Sequence, residues 1–594
     1  MSRGDGLGLR VVLVVALAGA AGASPQVRSA HSASEPFSTK VTDDRPGAGQ
    51  CTDPQSLPIP TPDVNNQPQA EVSMAVSEDG RLAASAKDYR YSPLDDTLYN
   101  RRVWNGLYLS SDAGESWRNL TFEEASSIAG IEGLTTGAYD QAAGQRVRLT
   151  QQTDPVAEFD RDGNLYTCAL AFEPDPPGTQ AGPSASGIVV SRWDASGRLV
   201  AGTTHFLGLE SDARLFNDKN WLAVDRTNAV TETIVVASWR LFTYSENPPA
   251  LAGGYVAVSA DGAASFGAPI RLPIPLADVP DSQFYQPLIG PDPLTGRKTL
   301  YVFFTTHSEP NYAMAMHLIK AEIAGLPPGT AALHAHLENP ASWRYLPSRI
   351  RGLYAFGANG WDGSFRFVSF FMPAIDRDTG HLYAVADAFE PRSQLSRVTA
   401  TRSSDGGATW TPPRDVDAPG RGYQLMPTTA YHSGALSVLW YDSRNDPDFL
   451  PLAPIRGIDV YYAELDAQLS LRRVLRLTPE TQRADQPVFT RPRSLQGQSR
   501  WRPGPHDIQL PPPQTPPPLS ARQAEAVGAQ STADCAGERY GFIGDYIGLA
   551  ADRRFAYAAW SDLRDIVHDA DVCAGHSCNG RRNQNVYFAR IPKD

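Results

Sequence analysis

The chain has 594 residues, with 53 Lys and Arg against 65 Asp and Glu and a formal net charge of −12. That balance speaks against nucleic acid as a partner, because nucleic-acid binders carry clustered positive charge. Eleven Trp, 23 Tyr and 22 Phe supply a large aromatic core, and 49 Gly with 49 Pro imply many turns between short strands, so an all-β fold is expected.

Residues 1–23 read as a signal peptide. Arg3 and Arg10 precede the apolar run "VVLVVALAGAAGA", which is too short to span a bilayer and ends in small residues suited to cleavage. No later run is long and apolar enough for an anchor. The expectation is therefore a secreted or periplasmic protein, monomeric and without a transmembrane segment. Residues 24–68, rich in Ser, Pro and polar side chains, read as a flexible leader to a domain covering 69–594.

That domain is organised by an internal repeat. A short apolar strand, a turn rich in Asp and Gly, and a strand dense in Val, Ala, Tyr and Trp recur seven times, at 71–90, 154–173, 218–240, 281–309, 370–390, 424–444 and 544–564. Third strands follow most copies, as in "LYLSSDAGESW" and "VTATRSSDGGATW", commonly with a fourth. Four antiparallel strands repeated every 50 to 90 residues describe a β-propeller, with seven blades preferred and six as the alternative. The last copy stops after "NVYFARIPKD", so its outer strand is expected from the N-terminal region. Residues 481–534, containing "PPPQTPPPL", read as an extended Pro-rich insertion without a function of its own to read.

Three turns share one pattern. Ser110, Asp112, Gly114 and Trp117 recur as Ser403, Asp405, Gly407 and Trp410, while Ser259, Asp261 and Phe266 keep the ends of the motif but have glycine one place early, at Gly262. Asp and Ser can bond the turn backbone, Gly allows positive φ, and the aromatic packs between sheets. These turns resemble the Asp-boxes, or bacterial neuraminidase repeats, of the sialidase superfamily. The phrases "NDKNWLAVD", "LWYDSRNDP" and "FIGDYIGLAAD" are similar to exported bacterial proteins of the exo-α-sialidase type.

The resemblance implies a glycoside hydrolase acting on terminal acidic sugars of glycans. The alternative is a non-catalytic propeller that binds glycans, glycoconjugates or a protein on its loop-rich face. Arg90, Arg444 and Arg564 end the second strands of blades one, six and seven, each two residues after an Asp, and so are either a carboxylate clamp or internal ion pairs. A sialidase also needs a tyrosine nucleophile with a carboxylate partner and an aspartate acid/base. Tyr546, Tyr423, Tyr285 and Tyr89 are candidates for the first role, Glu173, Glu309 and Glu390 for the second, and Asp218 and Asp545 for the third. The Arg-Ile-Pro motif of sialidases is missing from the first blade; Arg590, Ile591 and Pro592 lie at the other end of the chain.

No cofactor is required by this reading, although Asp218, Asp281 and Asp545, each opening a first strand, offer oxygen ligands for Ca²⁺. Five cysteines in an exported chain favour disulfides, with Cys573–Cys578 and Cys51–Cys535 as pairs and Cys168 left in a strand. His568, Cys573, His576 and Cys578 fit no standard zinc spacing. Asn119, Leu120 and Thr121 form a glycosylation sequon whose use is not expected in a bacterial protein.

Overall fold

The computed structural model describes residues 36–42, 69–88, 103–120, 138–140, 145–147, 149, 151–173, 185–212, 214–228, 230–243, 253–275, 282–308, 313–347, 350, 353–354, 365–366, 368–390, 392–451, 455–484, 490–492, 539–565 and 584–593. They form a seven-bladed β-propeller of four-stranded antiparallel blades. The innermost strands, in ring order, are Gln69–Val76, Gln151–Phe159, Leu215–Val224, Gln283–Pro291, Met372–Ile375, Gln424–His432 and Gly548–Ala551. Blade seven takes its outer strand, Phe37–Lys40, from the segment read as a leader; it pairs antiparallel with Asn585–Pro592, so the last blade carries the first strand of the chain.

Every blade has a neighbour on both faces, which is why second and third strands are buried along nearly their whole length rather than at alternate residues. Ala435–Asp442, "ALSVLWYD", is buried throughout, and Trp239, Trp440 and Trp560 are fully buried at matching places in blades three, six and seven. Adjacent blades are also tied by side chains reaching a neighbour's backbone. Ser238 Oγ donates to the Tyr285 carbonyl (2.6 Å), Ser396 Oγ to that of Gln424 (2.7 Å), and Ser561 Oγ to that of Gln69 (2.8 Å), the last closing the ring between blades seven and one.

The shared turn motifs lie between third and fourth strands and are corners. In blade five Ser403 Oγ donates to Asp405 Oδ1 (2.8 Å) and accepts from the Gly407 amide (2.9 Å), while Asp405 Oδ1 accepts from the Thr409 amide (2.8 Å). Desolvation opposes ionisation of Asp405, but the hydrogen bonds from Thr409 and Ser403 outweigh it and hold the carboxyl below its ordinary range. The aromatic at the end of each motif leans on the preceding blade: Trp117 on Phe588, Phe266 on His205, Trp410 on Phe303.

The displaced glycine of the blade-three copy has a backbone explanation. Each corner needs two consecutive residues with positive φ, filled by Ala113 and Gly114, Gly262 and Ala263, or Gly406 and Gly407. One glycine per pair suffices, and either place will take it. In blade three Gly262 sits where a Cβ would meet the Val230 carbonyl oxygen, so glycine there also answers a close approach.

The Pro-rich insertion is anchored at its edges. Gln482–Arg483 pairs with Gly457 and Ile458 of blade six, and Gln482 bonds Asp562 and the Leu563 amide; Thr490–Pro492 pairs with Arg539–Phe542. Residues 482–484 therefore belong to the blade rather than to an excursion beginning at 481. Cys51, Cys535, Cys573 and Cys578, the zinc candidates and Thr121 lie outside the described residues, while Cys168 is a buried free thiol that burial pushes up to about 12. No helix among the described residues is long and apolar enough to cross a membrane.

Candidate functional site

First strands begin, and second strands end, on the face that carries the long loops; the Asp-box corners occupy the other. Near the loop-rich end, five first strands interrupt their pairing with a bulge, each containing a non-glycine residue at positive φ: Glu71 (55°), Asp154 (53°), Lys219 (52°), Phe284 (54°) and Met426 (48°). Counting back two residues from the first regular pair places Phe370 and Tyr546 at the same register in blades five and seven. Bulky residues adopt positive φ at a cost of order 1–3 kcal/mol, and the bulge re-aims their side chains out of the pleat.

These seven residues form a ring, one per blade, with a polar side and an apolar side. Lys219 Nζ donates to Asp545 Oδ2, lies 3.3 Å from Asp154 Oδ2, and stands 5.8 Å from the centre of the Phe284 ring. Thr153 Oγ1 bridges Glu71 Oε2 (3.1 Å) and Asp154 Oδ1 (2.9 Å), with Lys87 Nζ 3.8 Å from Glu71. On the apolar side Phe284 stacks on Phe370 at 3.8 Å, and Tyr546 packs edge-on to Trp221.

The electrostatics follow from crowding four carboxylates around two ammonium groups in a buried place. Burial, then the Asp154 charge, raises Glu71 to about 7; burial also raises Asp218 to about 6 against the pull of Lys219. Burial works against the Lys219 ammonium, but Asp154, Asp545 and Asp218 outweigh it and hold it above its ordinary range. Asp154 is likewise desolvated, yet Lys219 and Lys87 keep its carboxyl low.

Asp218 and Asp545 are thus brought together, around the Lys219 ammonium. Among the described residues no group of three or more His, Cys, Asp or Glu side chains is arranged to hold a metal ion, and Asp281 lies outside them. With an ammonium already against Asp545 and Asp154, the residues present do not fit a Ca²⁺ between Asp218 and Asp545. Tyr546 is buried and donates its hydroxyl to the Pro155 carbonyl (3.1 Å), and burial beside Asp154 and Glu71 drives its pKa well above the ordinary value. A nucleophilic tyrosine needs the opposite shift and a carboxylate accepting its proton.

The rim arginines are internal partners. Arg444 Nη2 donates to Asp442 Oδ2 and Nη1 pairs with Asp417 Oδ2, both at 2.6 Å, while the guanidinium lies 4.0 Å from the Tyr461 ring centre. Arg564 grips Asp562 through Nε (2.8 Å) and Nη2 (2.7 Å) and lies 4.0 Å over Tyr587. Each aspartate also accepts from the tryptophan two residues before it, Trp440 and Trp560. Arg90, Tyr89 and Glu309 lie outside the described residues. Tyr285 is buried and donates to Ser282 Oγ, Tyr423 is buried against Phe449, and Glu390 is exposed and accepts from the Arg392 and Ser393 amides.

No family model and no curated protein matches the chain. Among solved structures it is similar to a protein of unknown function from Dyadobacter fermentans DSM 18053, with a TM-score of 0.38 and 10% identity over 94% of this chain and 99% of that one. It is also similar to the Hadza microbial sialidase Hz136 (TM-score 0.37, 12% identity, 68% of this chain and 66% of that one). A third is the alpha-L-arabinanase of Penicillium chrysogenum complexed with arabinobiose (TM-score 0.36, 12% identity, 73% and 99%). These are likenesses of fold.

Proposed function

We propose that the protein binds carbohydrate at the axial mouth of its loop-rich face and does not cleave sialosides. The observation that carries this reading is the internal neutralisation of Arg444 and Arg564: a guanidinium already gripped by Asp442 and Asp417, or by Asp562, has no fork left for a substrate carboxylate. The hydroxyl of Tyr546, given to a backbone carbonyl, supports it from the side of the nucleophile. What the mouth does offer is a partly exposed indole, Trp221, next to Asp218 and Lys219, which are also partly exposed. An aromatic face beside charged hydrogen-bonding groups suits a sugar ring, whose C–H face stacks while its hydroxyls bond.

The test uses purified protein with a fluorogenic sialoside, a fluorogenic arabinofuranoside and calorimetric binding to an oligosaccharide panel. The expected result is no turnover, and saturable binding that weakens about tenfold or more in Trp221→Ala, the loss of one stacked aromatic contact. Sialoside turnover that disappears in a folded Arg444→Ala variant would restore the hydrolase reading and overturn this one.

A further inference from the structure

Where the outer strand Phe37–Lys40 meets Asn585–Pro592 in blade seven, the side chains form a cluster of their own. Lys40 Nζ donates to Asp565 Oδ2 (2.7 Å), and Asn585 Nδ2 donates to the same oxygen (2.5 Å). The other carboxylate oxygen accepts from the Tyr587 hydroxyl (3.0 Å), and the Asn585 carbonyl oxygen accepts from Thr42 Oγ1 (3.3 Å). A primary amine and a carboxamide thus flank one oxygen atom of one carboxylate. Asn585 is fully buried, while Lys40 and Asp565 are partly exposed.

Blade six builds the same cluster with two changes. Asp459 stands opposite Asp442 where Asn585 stands opposite Asp562, and Asn445 follows Arg444 where Asp565 follows Arg564, so carboxylate and carboxamide have exchanged places. Asn445 Nδ2 donates to Asp459 Oδ2 (2.8 Å), and Tyr461 occupies the register of Tyr587. The cation on the fourth strand is Arg476, whose Nε and Nη2 hold Asp459 Oδ1 (3.1 and 2.8 Å); it faces Tyr461 as Lys40 faces Tyr587. A guanidinium stays charged and serves only as an ion-pair partner, whereas a lysine amine that gives up its proton is a nucleophile. Blade seven alone of the two therefore places a group able to attack beside a carboxamide able to be attacked.

We infer that Lys40 and Asn585 become joined by an amide bond between Nζ and Cγ, formed by the folded protein itself with Asp565 as the proton carrier. Asp565 accepts a proton from the Lys40 ammonium, and the freed amine attacks Cγ, displacing the carbonyl electron pair onto Oδ1, where the Thr42 hydroxyl supports the charge. The protons released from Nζ pass through Asp565 to Nδ2, the Cγ–Nδ2 bond breaks, and ammonium leaves. Asp565 ends as the carboxylate it began as, so no oxidant or co-reactant is consumed. Desolvation opposes the charge on Asp565, but Lys40, Asn585 and Tyr587 outweigh it and hold its carboxyl below the ordinary range, so the reaction starts from the ion pair and quickens in alkali. The bond ties the first strand of the propeller to the last and is independent of the carbohydrate reading.

The test is the intact mass of the purified full chain, taken fresh and after incubation at about pH 9, where a larger share of lysine is unprotonated. The expected mass is lighter than the sequence by one ammonia, and proteolysis should release a branched peptide joining the Lys40 and Asn585 segments. Both signs should vanish in Lys40→Arg, which keeps the ion pair in the form blade six already uses, and in Asp565→Ala, which removes the proton carrier. Circular dichroism of each variant checks the fold, and the wild-type mass decides the matter even where a variant fails to fold. An unmodified mass after the alkaline incubation would overturn the inference. So would an ammonia loss that persists in Lys40→Arg, the mark of a succinimide at an Asn-Gly step such as Asn105–Gly106.

Discussion

On blades one to three the axial ring is made of ions, Glu71, Asp154 and Lys219, whereas on blades four to seven it is made of Phe284, Phe370, Met426 and Tyr546. Both halves join blades across the centre at the same register. The apolar half does so by burying area, a force without direction that tolerates substitution by similar volumes. The ionic half does so through partners that must all be present, since a buried charge stripped of its counterion is costly. One ring therefore combines a forgiving half with an exacting one.

The sharpest way to expose that difference is Lys219→Met. It keeps the bulk and removes the ammonium that Asp154 and Asp545 share, so unfolding free energy should drop by about 3–5 kcal/mol in denaturant titration. A loss below 1 kcal/mol would mean that the ionic half is as tolerant as the apolar one.

The second test is pH. Glu71, ordinarily at 4.5, titrates at about 7 in the fold, so between those values the native state holds a proton that the unfolded chain has released. Its contribution to stability is present below 4.5 and is lost as pH rises through 7. Glu71→Gln removes that slope, so its stability relative to wild type should improve by roughly 1–3 kcal/mol between pH 4.5 and pH 8. Parallel curves for the two proteins would place the proton elsewhere in the cluster.

The smallest effect is expected far from the axis. Asp405→Ala removes the acceptor for Ser403 and for both donors of Thr409, and should cost about 1–2 kcal/mol in thermal unfolding while leaving oligosaccharide binding unchanged. Lost ligand binding in a folded Asp405→Ala protein would give the corner a role beyond turning the chain.

The propeller was legible because turn chemistry repeats with the blade: Asp112, Asp261 and Asp405 do the same job with the same neighbours, so residue identity reports position. The axial ring was not, because its members share a register and a backbone conformation while differing in chemistry from Glu to Phe. Asp218 and Asp545 stood out as strand openers, but Lys219, the group that unites them, carried no signal beyond its place beside Asp218. For Arg444 and Arg564 the aspartate two residues earlier announced the internal pair, whereas the tyrosines beneath them come from the next strand and needed the pairing register to be seen. In blades two and six, the third-to-fourth-strand turns are capped by Asp194 and Asp466 in the manner of an Asp-box, without the aromatic that makes the motif recognisable.

The strand Phe37–Lys40 gives the ring a direction in time. It is among the first parts of the propeller to leave the ribosome, yet its backbone partner Asn585–Pro592 and its ionic partner Asp565 are among the last. Six blades can assemble in order as they are made, each against its predecessor, while this one strand waits unpaired for nearly the whole of synthesis. Its burial pattern, mostly partial and with a lysine at the end, suits that wait: it keeps an edge that must stay open from pairing with the wrong chain.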